Sequence, residues 1–275
     1  MSDAPIEVVL RHDRYIVVVA LATIAAAAWA YVLWLAAAMD MSMGGAQMAG
    51  VRMIPSGLGL MEPALAPWHG FEFVLVLIMW SVMMVGMMTP SAAPMLLIYA
   101  QVGRMAAMHK APFAAVGWFV AGYLLVWVGF SCAASAAQWA LERATLLDSN
   151  MASGSRLLGA MVLIVAGVYQ WTALKDRCLK ACQAPWVFIH RHGGFRRDAR
   201  GAVLLGVMHG AYCLGCCWML MALLFVGGVM NVLWIAAIAV FVLGEKVIPP
   251  AWQISRIAGS GLVASGGWLL LRSAM

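Results

Sequence analysis

His209-Gly-Ala-Tyr-Cys213-Leu-Gly-Cys216-Cys217-Trp218-Met219-Leu-Met221 sets a histidine and three cysteines inside a long apolar run. At 100° per residue on a helix, His209, Cys213, Cys216 and Cys217 fall on one face. Soft metal-binding side chains have no routine job in such a setting. The stretch reads as a ligand-bearing stripe on a membrane-crossing helix.

The rest of the 275-residue chain agrees: 65% of residues are hydrophobic and 10% are charged, against about 25% charged in an ordinary soluble domain. Apolar runs of about 20 residues recur along the whole length, enough to cross roughly 30 Å of hydrocarbon. No strand-like alternation competes with them. The expected fold is all-α, a polytopic bundle forming one integral membrane domain over residues 1–275. Seven spans are expected, near 15–38, 71–98, 113–139, 156–175, 201–226, 229–248 and 254–272. Pro90 and Pro94 predict a kink or break at the inner end of the second span. Residues 39–70 and 176–200 are read as loops. The last span, with Gly259, Gly261, Ala264, Ser265, Gly266 and Gly267, has a small-residue face suited to close helix packing.

The net charge of +6 is uneven. Arg11 and Arg14 precede span one, and Arg104 and Lys110 follow span two. Lys175, Arg177, Lys180, Arg191, Arg196, Arg197 and Arg200 follow span four, whereas the alternate loops are poor in Lys and Arg. The positive-inside rule then puts the N-terminus in the cytoplasm and the C-terminus outside. The basic surplus is topological and points to no nucleic acid. Ala36-Ala37-Ala38 would suit a signal cleavage site, but the apolar stretch before it is longer than a usual signal core. An uncleaved anchor is expected.

A single membrane cysteine such as Cys132 is unremarkable as a small hydrophobe. Cys213, Cys216 and Cys217 with His209 one turn earlier are different, because histidine in a membrane span is expensive and usually functional. A thiolate alone in hydrocarbon is also expensive. One Cu(I) ion with one thiolate is a neutral unit, and so is Zn(II) with two. Charge alone therefore leaves zinc open. Methionine supply favours copper, since thioethers select Cu(I). The chain has 22 Met. Met79, Met83 and Met87 form one i, i+4 stripe in span two, and Met84, Met88 and Met95 form a second beside it. Any one of these is adequate as flexible core filler; as paired stripes, Met83, Met84, Met87 and Met88 become candidate ligands. Spans two and five run in opposite directions, so their middles are expected to meet.

Met39, Met41, Met43, Met48, Met53 and Met61, with His69, form a candidate extracytoplasmic copper-collecting tract, or equally a hydrophobic interfacial loop. Cys178 and Cys182 lie one helical turn apart amid Lys175, Arg177 and Lys180, which favour thiolate. In a reducing cytoplasm they suit metal exchange better than a structural disulfide. Glu245-Lys246 reads most simply as an interfacial pair near the inner end of span six.

Three blocks carry a family resemblance. The first is Gly206-x2-His209-Gly210-x-Tyr212-Cys213-Leu214-Gly215-Cys216-Cys217-Trp218-x2-Met221, continued by Gly228-x-Met230-Asn231-x2-Trp234 and Glu245-Lys246. The second is Met83-Met84-x2-Met87-Met88-x-Pro90-x3-Pro94. The third is Tyr169-Gln170-x4-Lys175-x2-Cys178-Leu179-x2-Cys182-x2-Pro185. Over roughly residues 70–250 the chain resembles a bacterial family of predicted metal-binding integral membrane proteins, a domain-of-unknown-function family. The resemblance implies a multi-pass protein of the inner membrane that acts as a copper chaperone for cuproenzymes.

The leading expectation is therefore a membrane Cu(I)-binding chaperone or conduit, not an enzyme. His209, Cys213, Cys216, Cys217, Met83, Met84, Met87 and Met88 would hold the ion. Cys178 and Cys182 would exchange it, with a cuproenzyme or a soluble copper-binding protein as partner. One rival is a transmembrane thiol–disulfide electron conduit, in which the methionines and His209 have no role. Another is a non-catalytic scaffold subunit of a membrane cuproenzyme, docking through the Gly-rich last span. No Walker-type loop and no Asp-Lys-Thr-Gly segment occurs, which argues against an ATP-driven pump.

Overall fold

A computed structural model describes residues 4–43, 52–55, 61–64, 70–109, 114–147, 151–195, 197–248 and 251–274. In chain order the elements are α1 Ala4–Met43, β1 Arg52–Pro55, β2 Met61–Ala64, α2 Gly70–Met108, α3 Val116–Arg143, α4 Arg156–Tyr169, α5 Ala173–Gln183, α6 Pro185–Arg191, α7 Ala199–Ala222, α8 Leu224–Gly227, α9 Val232–Val247 and α10 Ala251–Ala274. The protein is an all-α bundle. The short antiparallel pair β1–β2, in register Arg52 to Ala64, is a small addition to it.

Five helical segments are long and apolar enough to cross a membrane: Val17–Ala38, Gly70–Ala106, Val116–Arg143, Ala199–Gly227 and Gln253–Ser273. Taken together as one broken span, α4 and α5 pass the same test and make up to six; the expected seven are not confirmed, and α9 is the helix that falls short. The 14 residues of α4 reach only about 21 Å at a helical rise of 1.5 Å per residue. The chain then bends by 65° into α5. Thr172 causes the break: its extended backbone (φ −76°, ψ 143°) starts a new helix, and its hydroxyl accepts from the Lys175 N–H. The 16 residues of α9 reach about 24 Å, also short of the hydrocarbon thickness.

Segment 176–200 is thus no simple loop, since it holds most of α5 and all of α6. At the other gap, α1 stays helical to Met43, while Met48 and His69 lie outside the described residues. No break occurs at Pro90 and Pro94, because α2 runs through both.

The core pairs are α3 with α7, α4 with α10, and α1 with α2. Glycine makes the first two possible. A β-carbon on Gly122 would overlap the Val203 carbonyl, and one on Gly206 would overlap the Phe119 carbonyl, so α3 and α7 cross backbone to backbone. In the second pair Gly167 faces Gly259, and Gly266 faces Ala160 and Ile164. The small face expected on the last span is therefore used, and α4 is its partner. Gly206→Ala is expected to lower stability by roughly 1–3 kcal/mol through overpacking. Denaturant titration of the detergent-solubilised protein measures this, and an unchanged midpoint would contradict the close crossing.

Helix α9 has a different role. It touches α1, α2, α5, α7 and α10, so its side chains can reach most of the bundle. Asn231 caps it, accepting from the Trp234 N–H at 3.2 Å and donating to the Gly227 carbonyl at 3.1 Å. Gly228, at φ +96°, makes the turn before it.

Candidate metal centre

His209, Cys213, Cys216 and Cys217 are all buried on α7, as a single helical face requires. Helix α3 covers this face from one side and α5 from the other. The bend after α4 folds α5 back against α7. Cys178 lies so close to Gly215 that a β-carbon there would stand 2.8 Å from its sulfur. Tyr169 secures the contact by donating its hydroxyl to the Gly215 carbonyl. One turn further along α5, the Cys182 thiol lies within reach of both Cys213 and Cys216. The two cysteine groups that appear separate in sequence, one in a basic segment and one in a span, therefore form one cluster.

Sulfur, hydroxyl and ammonium groups meet at Cys213. Tyr123 of α3 places its hydroxyl 3.3 Å from Cys213 Sγ and also donates to the Met88 carbonyl. Lys246 of α9 donates from Nζ to Cys213 Sγ at 3.0 Å and to Ser91 Oγ of α2 at 2.9 Å. The Cys216 and Cys217 thiols each donate to the Cys213 carbonyl at 3.0 Å. These thiols use backbone one turn back as their acceptor, which suits a buried apolar site.

His209 lies one turn before Cys213, in a box of rings. Its centroid is 5.9 Å from Phe119, 5.9 Å from Tyr123 and 5.3 Å from Phe188. It is 2% exposed, and its Nδ1 atom has no hydrogen-bond partner. A buried imidazole nitrogen without a partner has a lone pair or a proton to offer a ligand.

The expected meeting of spans two and five is corrected. Among the described residues α7 packs mainly on α3 and α5, and α2 packs on α1 and α3. Tyr123 and Lys246 bridge between α2 and α7 instead. Met79, Met83, Met84, Met87, Met88 and Met95 are all buried, but Met88 reaches the cluster through its carbonyl. Among the described residues no group of three or more His, Cys, Asp and Glu side chains is arranged as a ready metal cage. Instead the Cys216 and Cys217 thiols are directed to the Cys213 carbonyl, and the Cys213 sulfur receives Lys246.

Glu245 and Lys246 are not paired with each other. Lys246 turns to the cysteines, while Glu245 receives Lys175 Nζ at 2.7 and 2.8 Å. Ser255 of α10 donates to the same carboxylate at 2.5 Å, and Gln183 of α5 donates to the Glu245 carbonyl at 2.8 Å. Lys175 also donates to Gln170. It is therefore a buried strut and does not act as a solvated charge beside Cys178. Sequence reading missed Tyr123 and Ser91 as neighbours of the Cys213–Lys246 contact, and missed that Lys175 and Glu245 pair with each other. Charged residues next to apolar runs were the available signal; their partners on other helices were not visible.

A family model described as copper chaperone (PpoB2) matches residues 77–269. No curated protein and no solved structure matches the chain. The matched region runs from α2 to α10 and contains every cysteine, the His209 face and the Glu245-Lys246 dipeptide. The chain belongs to this copper chaperone family.

Proposed function

We propose that the protein is a multi-pass chaperone of the bacterial inner membrane that binds Cu(I) as cargo and passes it toward a cuproenzyme, without being an enzyme itself. The supporting observation is the convergence of Cys182 on Cys213 and Cys216 beneath Lys246. An ion held by α7 thiols would have an exchange partner on a separate, bent element. Cys178, Cys217 and His209 complete the donor supply. The distribution of basic residues supports an orientation with α5 and α6 at the cytoplasmic side.

Charge accounting fits a monovalent ion. Cu(I) with two thiolates carries one negative charge, and the Lys246 ammonium neutralises it. Zn(II) with three thiolates reaches the same balance, so the methionine-rich surroundings carry the preference for copper. Copper content of the purified, reduced protein tests the reading against a Cys213→Ser, Cys216→Ser, Cys217→Ser variant. Copper is expected in the wild type and largely lost in the variant; equal copper in both would overturn the reading.

The same closeness of Cys182 to Cys213 and Cys216 supports a second reading, a thiol–disulfide relay. That scheme leaves Lys246 and the methionines without a role. Thiol trapping in copper-free cells, before and after an oxidant, separates the two. A redox change that tracks function there would favour the relay.

A further inference from the structure

A closed ring of hydrogen bonds joins four helices at the cysteine cluster. Lys246 of α9 donates to Cys213 Sγ of α7 at 3.0 Å and to Ser91 Oγ of α2 at 2.9 Å. Ser91 in turn donates to the Met88 carbonyl at 2.9 Å. The Tyr123 hydroxyl of α3 closes the ring, at 3.3 Å from the Met88 carbonyl and 3.3 Å from Cys213 Sγ. Tyr123 is 3% exposed, so bulk solvent does not compete for that hydroxyl.

A phenol has one proton to donate, and here two acceptors stand equally far from it. Atom size decides between them. An O–H···O bond is normally about 2.7–2.8 Å long, so 3.3 Å to the carbonyl oxygen is a stretched contact. Sulfur is the larger atom, and 3.3 Å to Cys213 is a close approach for it. The carbonyl is also supplied without Tyr123. It receives the Ser91 proton, and α2 is helical on both sides of it, so the amide N–H one turn on points to it as well. Tyr123 can therefore turn to Cys213 at little cost. A free thiol can donate to the phenol oxygen, but a sulfur bound to a metal ion has no proton to give. In a loaded site the phenol is the donor.

We infer that Tyr123 is a positioning residue for bound Cu(I): its hydroxyl donates to the metal-bound Cys213 sulfur. Lys246 and Tyr123 then occupy two lone pairs of that sulfur and leave one for the ion. Cys213 is thereby a terminal ligand and does not bridge two ions. Donors of this kind fix the direction of a ligand's lone pair and lower the energy of its electrons. The inference rests on the copper reading of the cysteine cluster.

The test adds Cu(I), as its acetonitrile complex, anaerobically to the reduced full-length protein in lipid vesicles. Tyr123→Phe removes the hydroxyl and keeps the ring, whose centroid lies 6.3 Å from that of Trp127 and 5.9 Å from that of His209. Competition against a chromophoric Cu(I) chelator is expected to show about tenfold weaker binding in Tyr123→Phe. The near-ultraviolet thiolate-to-Cu(I) charge-transfer band is expected to move to longer wavelength, because the sulfur has lost a donor. In a Cys213→Ser background the same change should leave the affinity nearly unaltered, since the hydroxyl acts through that sulfur. Equal losses in both backgrounds, or an unmoved band, would overturn the positioning role alone. A Tyr123→Phe chain that no longer folds would overturn it too, by placing the hydroxyl in the fold and not in the site. Absence of the band in the wild type would overturn the copper reading of the cysteines.

Discussion

Glu245→Gln is expected to destabilise the protein by about 3–5 kcal/mol, because it leaves the Lys175 ammonium buried without an anion. Lys175 is 0% exposed and Glu245 is 1% exposed, so water cannot replace the lost partner. The carboxylate also holds Ser255 of α10, and the residue's carbonyl holds Gln183 of α5. The damage should therefore fall on the seat of α5, which carries Cys178 and Cys182. Denaturant unfolding in detergent measures the loss. Labelling of Cys182 by a thiol reagent should rise in the same variant. Removing both charges, with Lys175→Met and Glu245→Leu, should recover most of the stability, since an apolar replacement of a buried pair is often neutral or better. A double variant as unstable as the single one would mean that the charges are not the reason for the loss.

Lys246→Met is expected to weaken Cu(I) binding at least tenfold while leaving the fold intact. Among the described residues Lys246 has no carboxylate partner, and Glu245 is engaged by Lys175. It donates to Cys213 Sγ and Ser91 Oγ. A Cu(I) dithiolate in hydrocarbon would then carry an uncompensated negative charge, and the low dielectric makes that expensive. Competition against a chromophoric Cu(I) chelator gives the affinity. Lys246→Arg keeps the charge with a different fork and should lie between the two. Equal affinities for wild type and Lys246→Met would remove the ammonium from the account of the site.

Much of this was legible from residue order. Long apolar runs specify membrane helices because hydrocarbon leaves the backbone no other partner. Spacing alone put His209, Cys213, Cys216 and Cys217 on one face, and all four are buried there. The small residues of α10 foretold tight packing, and α4 supplies it. The errors share one cause, since each concerns which elements meet. The sequence leaves the Cys178/Cys182 pair separate from the α7 cysteines because one Thr-capped bend, which returns α5 to α7, leaves little trace in hydropathy. Glu245 and Lys246 were read as a pair because they are adjacent. Successive helix residues point about 100° apart, so each meets a different neighbour.

The order of residues was enough to settle an all-helical chain with apolar helices of membrane-crossing length and with a histidine and three cysteines on a single helix face, because hydropathy and helical periodicity are local properties. The three-dimensional arrangement settled which groups share the site. Helix α3 stands where α2 was expected, α5 folds back to add its cysteines, and α9 delivers a cation to Cys213 and an anion to Lys175. These choices depend on backbone crossings at Gly122 and Gly206 and on a 65° bend. Such features gain their meaning only from what lies opposite them in space.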